Sequence, residues 1–140
     1  MAARQIVVFD IDGEEFGVDI MQVNVIEKVM EVFKIPNTPD FIEGVVNLRD
    51  KIITLLNLRK KFGFPGKGFD EKTRFIIVKE GENNFGLIVD EVKEILTIDE
   101  ASIEKAPQTL EKLSGEYITE IVKVDNRIIL LLNLNSLVSR

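Results

Sequence analysis

The 140-residue chain contains no cysteine and no histidine. Their absence excludes disulfides, thiolate and imidazole metal sites, and every nucleophile that needs a Cys-His or Ser-His pair. No apolar run approaches the roughly 18 residues that a membrane span requires, and the start, Met1-Ala-Ala-Arg4, lacks the apolar stretch of a secretion signal. We therefore expect a cytoplasmic protein with no catalytic residues, no metal, no cofactor and no direct membrane insertion.

Charge is distributed unevenly along a chain whose net charge is −6. Acidic residues dominate the first thirty positions, whereas five cations lie close together at Arg49, Lys51, Arg59, Lys60 and Lys61. The acidic balance opposes binding to a phosphate backbone. We expect a protein partner and no nucleic acid.

A sequence repeat is the strongest internal signal. Residues 50–58, Asp-Lys-Ile-Ile-Thr-Leu-Leu-Asn-Leu, return at 126–134 as Asn-Arg-Ile-Ile-Leu-Leu-Leu-Asn-Leu. An earlier segment, 16–26, returns at 85–95, and both copies begin with Phe-Gly after a turn. The chain is one unit used twice.

The pattern of turns and apolar runs predicts strands. Asp12-Gly13 is a short hairpin signal, and residues 73–79 and 85–89 predict a second hairpin around the polar loop 80–84. Residues 51–56 and 127–132 are continuous apolar runs, which predicts central strands buried on both faces.

Helical signals are short. Asn57 and Asn133 each can cap a helix after a repeat strand, and Thr38 with Pro39 predicts a short helix that ends at Gly44. Residues 63–72 contain three glycines and a proline, which is typical of a loop or hinge.

Short strands with few helices favour an all-β fold, and the repeat favours two five-stranded β-barrel lobes related by a pseudo-twofold axis, with short helices. We expect one domain over 1–140, with lobe 1 at about 14–70, lobe 2 at about 71–140, and a possible exchange of terminal strands. A single sandwich would not explain the recurring Phe-Gly hairpin.

Candidate sites are few. Asp10-Ile-Asp12-Gly13 faintly resembles a calcium loop, but its ligands are misplaced, and a hairpin turn is the better interpretation. Asp90 and Glu91 point to opposite faces of a strand and are interpreted as solvated surface. Arg49 lies at the mouth of a buried strand beside Asn47, where a guanidinium can brace the fold or meet a partner's carboxylate or carbonyl.

Apolar residues at equivalent places in the two copies define a candidate groove. Val23 and Ile26 follow the first Phe-Gly strand, and Val92 and Ile95 follow the second. If the lobes face one another, these side chains line a groove that suits an amphipathic helix; each of them can equally be plain core.

The motifs together resemble the CheW family of bacterial chemotaxis coupling proteins. The resemblance rests on Gly-Val-Val-Asn-Leu-Arg at 44–49, the Ile-Ile strand after it, Phe-Gly-Val-Asp-Ile at 16–20 and Phe-Gly-Leu-Ile-Val-Asp at 85–90. It spans nearly the whole chain, and the motifs fall in the family's order. The family fold is two five-stranded β-barrel lobes.

The resemblance implies a non-enzymatic adaptor that joins the histidine kinase CheA, through its regulatory domain, to the cytoplasmic tip of methyl-accepting chemoreceptors in membrane-associated arrays. It implies that Arg49 binds the receptor and that Val23 and Ile95 lie in the receptor groove, to which the repeat argument adds Ile26 and Val92. It also implies structural roles for Gly44 and Gly86, with Asn47 grouped with them. No kinase-binding residue is assigned.

Several positions depart from the family pattern. Asp50 replaces the usual glycine after Asn-Leu-Arg, Thr54 the usual proline, and Asn57 the frequent aspartate; Val25 stands where some members carry a glutamate, and Thr109 where some carry an aromatic residue. The alternatives within the fold are a fragment of the CheA regulatory domain or of a CheV-type adaptor. From another class, the alternative is a small barrel that binds a ligand or nucleic acid.

Overall fold

A computed structural model of the chain describes residues 2–113 and 116–138. In this part of the chain the strands are β1 (Ala3–Ile11), β2 (Glu14–Asp19), β3 (Val23–Lys28), β4 (Ile42–Leu48), β5 (Lys51–Asn57), β6 (Arg74–Glu80), β7 (Asn83–Val89), β8 (Glu91–Asp99), β9 (Ile103–Lys105), β10 (Ile118–Val124) and β11 (Arg127–Leu132). The helices are α1 (Leu58–Lys61), α2 (Gln108–Leu113) and α3 (Leu134–Val138), with 3-10 turns at Ile20–Gln22 and Glu100–Ser102. The predicted all-β class with short helices is confirmed.

Two-residue turns close both predicted hairpins. β1 and β2 meet at Asp12-Gly13, where φ is 55° and 84°, and Gly13 N–H donates to the Asp10 carboxylate over 2.8 Å. β6 and β7 meet at Gly81-Glu82, where Gly81 has φ of 63°. Positive φ at the turn matches the twist of the flanking strands. Both hairpins are confirmed, and the second has a tighter turn than the predicted loop.

The strands form two sheets. One has five strands in the order β3-β6-β7-β5-β4, and the other has six in the order β8-β1-β2-β11-β10-β9. Among the described residues, neither order includes a pair that joins its end strands. The two predicted β lobes are present, one of them with a sixth strand.

Parallel pairing joins the two sequence copies within each sheet. β5 runs parallel to β7, with Thr54 opposite Phe85, and β11 runs parallel to β2, with Leu130 opposite Phe16. Each Phe-Gly strand therefore lies beside the Asn-ended strand of the other copy. Both Asn-ended strands have a neighbour on each side, as predicted.

The chain folds into two compact units. The central unit comprises residues 22–92, and the terminal unit comprises residues 1–21 together with 93–140. The central unit contains β3 to β7, and the terminal unit contains β1, β2 and β9 to β11. The first and last parts of the chain thus build one unit.

Each unit has its own apolar core on one face of its sheet. The central core consists of Val46, Ile53, Leu55, Phe75, Ile77 and Ile88, and the terminal core of Ile6, Val8, Ile98, Val122, Ile129 and Leu131. Full burial of one such side chain contributes about 1.5–3 kcal/mol before the entropy cost of ordering it. The Ile-Ile doublets of the repeat place Ile53 and Ile129 at matching points of these cores.

Two of the three predicted helices are confirmed. Asn57 caps α1 by accepting a hydrogen bond from Lys60 N–H at 3.2 Å, and Asn133 accepts one from Asn135 N–H at 3.1 Å before α3. The helix predicted from Thr38 to Gly44 is wrong: that segment is a turn, and β4 begins at Ile42. The end of the segment pairs with β5 instead, so that Ile42 and Gly44 are held in a strand.

Candidate functional site

Arg49 lies in the turn that joins β4 to β5. The turn consists of Arg49 and Asp50 alone, with φ of 51° and 67°, and Leu48 pairs with Lys51 beneath it. Positive φ at both positions is the backbone of a type I′ hairpin, for which Asn-Gly is the usual sequence. The tight turn fixes where the Arg49 backbone lies, and its side chain is exposed.

Arg49 and Lys51 differ from the other cations of the basic cluster because neither has an ion pair or hydrogen bond of its side chain within the described parts of the chain. By contrast, Lys60 lies 3.6 Å from an Asp40 oxygen, and Lys61 lies 3.6 Å from the Phe41 ring centroid. Of the two roles open to Arg49, bracing the fold has no contact to support it.

A small pocket lies beside Arg49 within the central unit. Its volume is about 190 Å³, which is below the roughly 300–1,000 Å³ of sites for small molecules. The apolar lining comes from Val25, Leu48, Ile53 and Ile77, and the polar lining from Asn24, Asn84, Arg49 and Lys51. Asn24 Nδ2 donates to Asn84 Oδ1 over 3.0 Å.

Val23 and Ile26 share one face of β3 although they are three residues apart. Their partners on β6 are Val78 and Ile76, which are two residues apart, because the register shifts between Val23 and Val25. The extra residue of such a bulge restores the shared face. Val25 packs on the opposite face, against the central core.

The five predicted groove residues differ in how far their side chains are exposed and in whether they line the pocket. Val23 and Val92 are partly buried, whereas Ile26 and Ile95 are 36% and 53% exposed. The pocket that contains Arg49 is not lined by any of the other four. Their assembly into one receptor groove stays a prediction.

Exposed isoleucines recur at equivalent positions of the repeat. Ile52 in β5 is 66% exposed, and its counterpart Ile128 in β11 is 57% exposed. The predicted burial of these strands on both faces is wrong at these two residues, because Ile52 and Ile128 lie on the faces opposite the buried Ile53 and Ile129, which belong to the two apolar cores. The Ile-Ile doublet in the sequence could have indicated this exposure. Neighbours in a strand face opposite sides, so one isoleucine of each doublet faces away from the core.

An apolar patch surrounds Ile52 at the edge of the five-stranded sheet. Phe33 forms an isolated bridge with Val45 and is 50% exposed. Val45 and Asn47 are two residues apart and lie opposite Thr54 and Ile52, so all four share a face. Hereafter the edge patch means Phe33, Val45 and Ile52.

Arg59 and Asp90 form an ion pair that the sequence did not predict. Arg59 Nη1 donates to Asp90 Oδ2 over 2.6 Å, and the two side chains are 10% and 17% exposed. Arg59 Nε also donates to the Pro65 carbonyl over 2.8 Å, which holds the glycine-rich loop. The interpretation of Asp90 as solvated surface is wrong, because the arginine neutralises it where water is largely excluded.

The described residues offer no cluster of three or more acidic side chains that could hold a metal ion. No described helix is long and apolar enough to cross a membrane. Asp12 lies in the hairpin turn, as expected from its sequence. The features that the structure does bring together are exposed aliphatic side chains, the cations Arg49 and Lys51, and a pocket of about 190 Å³.

Comparison with known proteins identifies the family of the chain. The family described as CheW-like domain matches residues 5–140. The chain belongs to this family. The chemotaxis protein CheW of Klebsiella aerogenes is 35% identical over 136 residues, which cover 97% of this chain and 82% of that protein. CheW of Bacillus subtilis is 32% identical over 137 residues, covering 98% and 88%.

A solved structure of the CheW-like family has the same fold. The scaffolding protein TtCheW from Thermoanaerobacter tengcongensis superposes with a TM-score of 0.89 at 39% identity, and the match covers 94% of this chain and 90% of that one. The family resemblance stated from the sequence is thus confirmed. The residue roles carried over with it, for the receptor groove and for Gly44, Asn47 and Gly86, stay predictions.

Proposed function

We propose that this CheW-like chain is a non-enzymatic adaptor that couples methyl-accepting chemoreceptors to the histidine kinase CheA in bacterial chemotaxis. Support comes from its family and from relatives that are named chemotaxis protein CheW. The observation that carries the proposal is Arg49, which is exposed, lies in a two-residue turn and has no ion pair or hydrogen bond of its side chain to any other residue that the structure describes. A cation held in this way is available to a partner without first breaking an internal contact.

The proposed receptor surface comprises Val23, Ile26, Arg49, Val92 and Ile95. Ile26 and Ile95 supply exposed aliphatic area, and such area suits the apolar face of a helix from the receptor's cytoplasmic tip. The adaptor would be recruited to membrane-associated receptor arrays by this contact. A receptor that changes between two states then biases the kinase through the fixed geometry of the adaptor.

The proposed kinase surfaces are the edge patch and the region around Ile128. Ile52 and Ile128 occupy equivalent points of the repeat, and exposed aliphatic side chains on a sheet suit contact with a second β domain. The family resemblance gives the regulatory domain of CheA the same fold as this chain. The two surfaces are therefore proposed to meet similar surfaces on that domain.

Calorimetric titration with the CheA regulatory domain of the same organism tests the kinase half of the proposal. Saturable one-to-one binding at roughly micromolar affinity, about −8 kcal/mol, is expected. Ile52→Lys and Ile128→Lys should each weaken it without lowering the unfolding temperature, because both side chains are mostly exposed. No complex with the wild-type chain would overturn the kinase assignment.

Pull-down with a receptor tip fragment tests the receptor half. Arg49→Glu should abolish binding and leave thermal unfolding nearly unchanged. Lys105→Glu makes the same charge change at an exposed lysine of the terminal unit and should bind normally. If Arg49→Glu unfolds instead, Arg49 is a structural brace.

A further inference from the structure

We infer that the pocket beside Arg49 is a carboxylate site, which takes one glutamate side chain from a protein partner. This inference rests on the proposed adaptor function, and it adds Lys51, Asn24 and Asn84 to the recognition of that partner. A pocket of about 190 Å³ is small for a cofactor and suits a single side chain.

The two sequence copies show what the pocket lacks. Lys51 is the counterpart of Arg127 in the repeat. Arg127 is held by two carboxylates of the terminal unit: Nε and Nη2 donate to Glu15 over 2.9 and 3.0 Å, and Nη2 donates to Glu94 over 2.7 Å. In the terminal unit, the cation at this position of the repeat is therefore neutralised by two carboxylates of the same unit.

The counterparts of those carboxylates in the central unit are neutral. By the alignment of the Phe-Gly segments, Asn84 corresponds to Glu15, and Val25 corresponds to Glu94. Both Asn84 and Val25 line the pocket, together with Lys51. The central unit thus has the cation but neither of the corresponding carboxylates.

The remaining polar groups are arranged to donate. Arg49 and Lys51 carry only hydrogen-bond donors, and neither has a partner within the described residues. Asn24 uses one N–H on the Asn84 carbonyl oxygen, which leaves the Asn84 amide N–H groups without a recorded acceptor in that part of the chain. Two cations and an amide donor match the oxygens of a carboxylate.

The apolar lining selects the kind of acid. Val25, Ile53 and Ile77 lie on the face of the central core, and methylene groups pack favourably against such side chains. A glutamate brings two methylenes and a carboxylate, whereas an inorganic anion would leave the apolar wall uncovered. The net charge of −6 makes this cationic pocket an exception on the chain, so it favours an acidic partner segment.

The test uses the full-length chain and a defined probe. N-acetyl-glutamate N-methylamide is titrated into isotope-labelled protein, and NMR follows the side-chain amides of Asn24 and Asn84 and the backbone amides of 49–51. The glutamine analogue is the matched probe. Saturable shifts are expected with the glutamate probe only, with a dissociation constant on the order of 1 mM because so small a ligand makes few contacts.

Variants locate the binding. Lys51→Gln should weaken the probe about tenfold, as expected for loss of one charge-assisted hydrogen bond. Asn84→Glu returns the carboxylate of the other copy and should abolish probe binding by pairing with Lys51. Lys105→Gln should change nothing. Equal shifts with both probes, shifts elsewhere, or no saturable shift would each overturn the inference.

The result is separable from that of the adaptor proposal. If the chain binds the receptor fragment but not the glutamate probe, the pocket inference fails and the adaptor proposal stands. If the probe binds with the expected specificity and neither the receptor fragment nor the kinase domain does, the adaptor proposal fails and the carboxylate site belongs to another acidic protein partner.

Discussion

Arg59 and Asp90 are 31 residues apart in the chain and 2.6 Å apart in the structure. Their ion pair joins the first turn of α1 to the end of β7, and Arg59 also accepts at its carbonyl a hydrogen bond of 2.7 Å from Phe64 N–H. The same residue therefore fixes a helix, a strand end and the glycine-rich loop. Because the pair is mostly buried, its loss should lower the stability of the whole central unit.

Removal of one partner of this pair should destabilise the protein. We expect Asp90→Asn to lower the free energy of unfolding by about 2–4 kcal/mol, because it leaves the Arg59 guanidinium largely buried without its counter-charge. Urea unfolding followed by circular dichroism measures this. Lys60→Gln removes an exposed ion pair with Asp40 and should cost less than about 0.5 kcal/mol. Equal effects of the two changes would contradict the prediction.

Gly44 should tolerate no side chain. A Cβ there would lie 2.4 Å from the Phe33 carbonyl oxygen, and the backbone has φ of 151°. We expect Gly44→Ala to cost about 3 kcal/mol or more, since backbone atoms must move. At Gly86 the nearest atom is a Leu55 side-chain methyl at 2.5 Å, which can move, so Gly86→Ala should cost less.

Thermal unfolding ranks these glycine variants. Gly66→Ala is the control, because nothing lies within 4 Å of its added Cβ, and it should be neutral or slightly stabilising. A Gly44→Ala variant as stable as the Gly66→Ala variant would show that the Phe33 to Val45 bridge is not required in solution.

Asp50 is a poor residue for its turn position. Its φ of 67° is left-handed, where a side chain is strained and glycine is not. We expect Asp50→Gly to raise the free energy of unfolding by about 0.5 kcal/mol, since relief of strain exceeds the added freedom of the unfolded chain. Asp50→Val should lower stability, because a β-branched residue is disfavoured there. Scanning calorimetry of both variants decides the point, and a destabilised glycine variant would count against it.

Acid should weaken the terminal unit through Glu15. The hydrogen bond from Arg127 lowers the pKa of the Glu15 carboxyl, and desolvation only partly opposes it. A lowered native pKa means that the ionised group stabilises the fold above its ordinary pKa, and that this stability is lost as pH falls through the native value. The loss should therefore begin as pH falls to the ordinary glutamate pKa, roughly 4.3, and be complete below the lowered native value.

Unfolding at pH 7 and at acid pH isolates this contribution. We expect Glu15→Gln to be less stable than the wild type at pH 7 and to lose less stability on acidification. The Asp70 carboxyl also has a lowered pKa, caused first by the backbone N–H of Lys72, and this group stays in the variant. Identical pH profiles for wild type and variant would show that the Arg127 pair does not persist in solution.

Local sequence rules predicted the elements that depend on neighbours in the chain. Asp12-Gly13 predicted a hairpin because both residues readily adopt a positive φ. Asn57 was predicted to cap α1 because its side-chain oxygen can accept a hydrogen bond from a free N–H at the start of the helix. The repeat predicted two similar lobes. These features follow from residues close together in sequence.

Features that depend on distant residues could not be predicted. Nothing near Asp90 in the sequence reveals Arg59, because the parallel pairing of β5 and β7 brings them together. The bulge in β3 that places Val23 and Ile26 on one face is set by β6. Likewise, the pocket beside Arg49 joins residues from β3, β4, β5, β6 and β7. Its members look like ordinary strand residues one at a time.

The pairing of β2 with β11 has a consequence for synthesis. The partners Phe16 and Leu130 are separated by most of the chain. During translation, β2 therefore emerges from the ribosome long before β11 has been synthesised. The central unit can complete its sheet first, and the terminal unit must wait for the last strands to emerge. During that interval the β1–β2 hairpin exposes the apolar strand β2, whose partner β11 has not yet been made. We expect nascent chains to depend on chaperones at this stage.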